Sequence, residues 1–65
     1  MSKVLYYVWK DGDRIGFDNG HETIEEAIQD AMENNADEIE ETTWNSTKSY
    51  NNYEPADNFK IVWRK

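Results

Sequence analysis

Apolar positions along this chain recur at two different periods. Between residues 23 and 35 they return every three or four places. Ile24, Ala27, Ile28, Ala31 and Met32 therefore share one stripe of a predicted helix. Thr23, three places before Glu26, forms a capping box at its start. Asn34-Asn35 supplies a residue that tolerates the left-handed conformation in which many helices stop. Elsewhere the period is two. Residues 4–9, 14–17, 38–44 and 59–64 read as strands, rich in aromatic and β-branched side chains.

Asp11-Gly12 predicts a two-residue hairpin turn that sets Lys10 against Asp13, Val8 against Ile15 and Tyr6 against Phe17. That register puts Val4, Tyr6, Val8, Ile15 and Phe17 on the face expected beneath the helix. Leu5, Tyr7 and Trp9 go to the other face, beside Arg14 and Gly16. Ile39 points inward on the third strand and Trp44 outward. In the last strand Phe59, Ile61 and Trp63 share one face, and Lys60, Val62 and Arg64 the other. Residues 45–58 are polar, hold the single proline and read as a long loop.

The order ββαββ implies an α+β fold. It is expected to be a two-layer sandwich with one helix on a four-stranded, mainly antiparallel sheet. Strand order 2-1-3-4 is the simplest solution, with 2-1-4-3 as the alternative. Sixty-five residues allow one domain, spanning 1–65, with a small core.

Charge narrows the choice of partners. The formal net charge is −7, and residues 15–47 contain ten carboxylates with no lysine or arginine. Direct binding to nucleic acid or to an anionic membrane is disfavoured, since both demand a basic footprint. The chain lacks cysteine, shows no signal-peptide pattern and has no apolar run near the roughly 20 residues of a membrane span. A cytoplasmic protein is the expectation.

Candidate chemistry is sparse. His21, the single histidine, lies in a turn without a foreseeable partner and reads as solvated. An enzymatic reading would need a concave site lined by His21 and two carboxylates with raised pKa values. Asp11-Gly12-Asp13 and Asp18-Asn19-Gly20 read as turns, because Ile15 occupies a position where a calcium loop needs oxygen. Asn45-Ser46-Thr47 is a glycosylation sequon that loop chemistry explains equally well. No enzymatic activity, cofactor or metal is expected.

Two surfaces remain. Leu5, Tyr7, Trp9, Trp44 and Val62 form an apolar patch on the sheet face away from the helix, unless Tyr50 and Tyr53 fold back over it. Glu22, Glu25, Glu26, Asp30 and Glu33 line the helix exterior at spacings where like charges repel. The expectation is a protein–protein interaction module, its acidic face steering a basic partner. Homodimerisation through the open face is its simplest form. The alternative is a nucleic-acid mimic that occupies a basic nucleic-acid-binding protein.

Overall fold

The computed structural model describes residues 2–16, 19–47, 52–56 and 59–65. Strand β1 (Ser2–Lys10) turns through Asp11-Gly12 into β2 (Asp13–Ile15). Helix α1 (Ile24–Glu33) follows, then β3 (Glu38–Ser46), β4 (Tyr53–Pro55) and β5 (Lys60–Arg64). The result is an α+β fold with one helix and an antiparallel sheet. Its order is β2-β1-β3-β4, with β5 also paired to β3. Among the described residues, no helix is long and apolar enough to cross a membrane.

The hairpin has the register that Asp11-Gly12 dictates: Val8 opposes Ile15, Trp9 opposes Arg14 and Lys10 opposes Asp13. Both turn residues have positive φ, 53° at Asp11 and 83° at Gly12, which matches a type I′ turn. The expected pairing of Tyr6 with Phe17 falls on a residue outside those described. Tyr6 is bridged to His21, through amide–carbonyl bonds of 2.9 and 2.8 Å.

Both helix ends follow from local chemistry. The Thr23 side chain accepts from the Glu26 amide at 3.3 Å. At the other end Ala36 N–H reaches the Ala31 carbonyl at 2.8 Å, and Asn35, at φ 54°, reaches Met32. These two bonds constitute a Schellman motif. Between the ends, Ala27 and Ala31 are fully buried and form one core cluster with Val8, Ala36 and Ile39. Tyr6, Ile15 and Ile28 pack against that cluster, so the alternation expected for the first hairpin is correct over this stretch.

Two stripe positions differ from expectation. Met32 is 72% exposed. The buried centre of the helix lies at Ala27 and Ala31, and Met32 falls about 100° round the axis from Ala31. Val4 is 38% exposed because the helix does not reach it. Nine strand residues extend about 30 Å, whereas ten helical residues extend about 15 Å.

The last third of the chain departs furthest from its sequence pattern. β3 runs on through Ser46, and β4 pairs with that extension inside the stretch expected to be loop. The sequon residues Asn45 and Ser46 thus sit in a strand. A bulge interrupts β3–β5: Ile39 opposes Trp63, but Glu40 opposes Ile61, which leaves Val62 as the extra residue. Trp63 and Val62 both pack against the helix-side cluster.

Candidate functional site

The strand register collects a set of side chains on the sheet face away from the helix. β1 contributes Lys3, Leu5, Tyr7 and Trp9. Opposite them on β3 stand Trp44, Thr42, Glu40 and Glu38. Arg14 enters from β2 opposite Trp9, Pro55 from β4 opposite Trp44, and Ile61 from β5 opposite Glu40. The expected placement of Trp9 and Trp44 on this face is therefore correct. Val62 is a correction: the bulge turns it to the helix side, and Ile61 takes its place.

Glu40 organises the centre. Its residue is only 6% exposed. Trp9 Nε1 donates to Oε1 at 3.0 Å, Arg14 Nη2 approaches the two oxygens at 3.4 and 3.5 Å, and the Thr42 hydroxyl donates to Oε2. The Arg14 guanidinium lies 4.1 Å from the centroid of the Tyr7 ring and 5.4 Å from that of Trp9. One cation therefore neutralises the carboxylate while stacking on two rings. At the edge, Glu38 pairs with Arg64 at 3.1 Å.

Tyr7 is a second correction. Expected as an open-face anchor, it is 4% exposed. Arg14 covers its ring on one side and Gly20 approaches on another. A Cβ on Gly20 would lie 2.9 Å from Tyr7 Cζ and 3.0 Å from Leu5 Cβ, so no other residue fits there without displacement. Leu5 is half-buried by the same segment.

What remains open lies towards β4 and β5. Phe59 is 63% exposed, Tyr53 40% and Ile61 39%. Phe59 borders two neighbouring recesses. One, of about 350 Å³, lies among Trp9, Thr42, Trp44 and Pro55. The other, of about 420 Å³, lies among Trp9, Glu38, Lys60 and Ile61. Trp44 Nε1 is enclosed and meets no acceptor among the described residues. Tyr53 folds towards the face and carries Lys3 Nζ 4.5 Å from its ring centroid; Tyr50 lies outside the described residues.

The acidic helix exterior is only partly as expected. Glu22, Glu25 and Glu33 are exposed and have no ion pair among the described residues. Asp30 is a correction. It is half-buried, accepts from Asn34 Nδ2 at 2.7 Å and meets His21 Nε2 at 2.9 Å. The Glu26 carboxylate turns towards His21 Nδ1, 3.8 Å away, instead of back to the Thr23 amide. His21 is thus no solvated turn residue but a clip between the β1 edge and the helix. Nothing local in the sequence signals this, because the clip depends on the bridge to Tyr6.

These three groups line a recess of about 530 Å³ with Gln29 and Glu33. No cluster among the described residues has three or more side chains placed to hold a metal ion. On the helix side of the sheet, the Tyr6 hydroxyl has a raised pKa. Burial is the first cause, followed by the charge of Glu41, its hydrogen bond to that carboxylate, and the charge of Glu25.

The class of protein defined by these elements is a small α+β domain with one helix and an antiparallel sheet. Comparison with protein-family models, characterised proteins and solved structures returned no match.

Proposed function

We propose that this chain is a non-enzymatic protein–protein interaction module that works through the sheet face away from the helix. The observation that carries this reading is the exposure of Phe59, Ile61 and Tyr53 beside the half-buried Trp9 and Trp44. Large rings grouped round recesses are the residue types that dominate interface energies. The reading treats the fold as two layers, supported by the core cluster that the helix forms with β1, β3 and their linker (Val8, Ala27, Ala31, Ala36 and Ile39). A single helix leaves the β4 and β5 side of the second face, with Tyr53, Phe59 and Ile61, for a partner.

The second reading, a nucleic-acid mimic bound by a basic protein, is favoured by Glu22, Glu25 and Glu33, which are exposed and form no ion pair among the described residues. One experiment separates the two. Immobilised chain captures partners from native lysate and is washed at low and high salt. Capture through the apolar face survives high salt and is lost in Phe59→Asp/Ile61→Asp. Capture through the mimic surface is lost at high salt and in Glu22→Lys/Glu25→Lys/Glu33→Lys. Capture unaffected by either variant defeats both readings.

A further inference from the structure

From the distribution of charge and the dimensions of the face, we infer that the occupant of the open sheet face is a second copy of this chain. This inference rests on the interaction reading above and names its partner. Two observations support it independently. The first is electrostatic. Two copies each carrying −7 repel, and they can meet only where that charge is locally absent. The open face meets this condition. Glu40 is held by Arg14 and Glu38 by Arg64, while Lys3 stands over Tyr53. Glu22, Glu25 and Glu33 lie on the helix exterior, so face-to-face association keeps the two acidic surfaces apart.

The second observation is size. The molecule measures 39 × 18 × 17 Å. The two longer dimensions bound any one face at roughly 700 Å² in projection, the same order as the ~800 Å² per partner of a standard protein interface. In an isologous pair each contact occurs twice. Phe59 of each copy then enters the recess between Trp9, Trp44 and Pro55 of the other. The apolar Ile61 widens the same contact, and the acidic helices point outwards to solvent.

Sedimentation equilibrium on the purified chain across micromolar to millimolar concentration tests this. The expected result is a reversible dimer in which tryptophan emission becomes shielded from iodide as the dimer forms. Phe59→Asp/Ile61→Asp alters two exposed residues, and circular dichroism with urea unfolding checks that the variant monomer folds. The dissociation constant rises roughly 30-fold or more, the effect of losing one hot-spot residue. Met32→Asp, at a still more exposed apolar position on the helix side, leaves the constant unchanged. A monomer at all concentrations overturns the inference. So does a dimer that Met32→Asp weakens as much as the double variant. If the chain is monomeric yet still captures another protein through Phe59 and Ile61, the second copy is ruled out and the interaction reading stands. If neither association depends on those residues, both fall.

Discussion

A carboxylate that is 6% exposed keeps its charge at low cost only where donors replace the lost water. Glu40 has three kinds, an indole N–H, a guanidinium and a hydroxyl, and they are not equivalent. Trp9→Phe removes the 3.0 Å bond and leaves Oε1 dependent on the longer Arg14 approach. Hydrogen bonds to charged groups contribute roughly 1.5–3 kcal/mol, and Trp9→Phe should lower stability to urea by about that much. Trp44→Phe at a neighbouring ring should change it by less than ~1 kcal/mol. Its enclosed N–H has no acceptor among the described residues, so removing the donor offsets the lost ring area. Equal losses in the two variants would show that area alone decides. Tyr6 adds a pH signature. Its hydroxyl pKa is raised above the ordinary tyrosine value of 10.0, so the folded state holds that proton more tightly than the unfolded chain. The contribution is complete below pH 10 and disappears as pH rises through the folded value. Tyr6→Phe should therefore flatten the alkaline limb of the urea midpoint against pH while leaving neutral pH unchanged in slope. At this scale the sequence was a partial guide. Alternation placed Trp9, Arg14 and Trp44 on one face. Neither the burial of Glu40 nor the cover over Tyr7 could be read, because each depends on a residue far away in the chain.

Among the elements, those closed by short-range chemistry were legible. The hairpin needs only a pair of residues that accept positive φ, and the helix needs only Thr23 and Asn35 at its ends. Gly12 allows this logic to be tested in isolation, since a Cβ placed there meets nothing within 4 Å. Any loss in Gly12→Ala is then backbone strain at φ 83°, about 1 kcal/mol by thermal or urea unfolding. A much larger loss would mean that the turn sets register for the whole sheet. Elements closed by distant partners were not legible. Tyr53-Glu54-Pro55 looks like loop because proline lacks an amide donor, yet an edge strand with three residues accommodates it. The bulge at Val62 leaves no mark in an otherwise regular alternation, and one extra residue suffices to exchange Val62 for Ile61 on the open face. That exchange accounts for the misplacement of one anchor in the apolar patch. The acidic face was misread at Asp30 for a related reason: His21 becomes its partner only when the chain returns to Tyr6.

For the whole molecule, the governing fact is a mismatch of length between the sheet and its one helix. The buried core lies where α1 meets β1 and β3, at Val8, Ala27, Ala31 and Ile39, whereas the ladder continues to Ser2 and Asn45. The far half of the sheet has β4 beside it but no helix over it, and Val4 shows the consequence at 38% exposure. Local stability should follow cover and not hydrogen-bond geometry, because opening the uncovered end forfeits little apolar burial. Lys3 and Tyr7 make the comparison fair. Both lie on β1, both direct their amides to β3 by alternation, and they oppose Trp44 and Glu40 in one continuous register. Native-state hydrogen exchange at concentrations where the chain is monomeric should protect the Tyr7 amide roughly 100-fold more than that of Lys3. Association through the open face should then raise protection at both, and proportionally more at Lys3, since a second copy covers the end that the helix leaves bare. Equal protection in the monomer would mean that the strand pairing itself, and not the helix, carries the stability of this sheet.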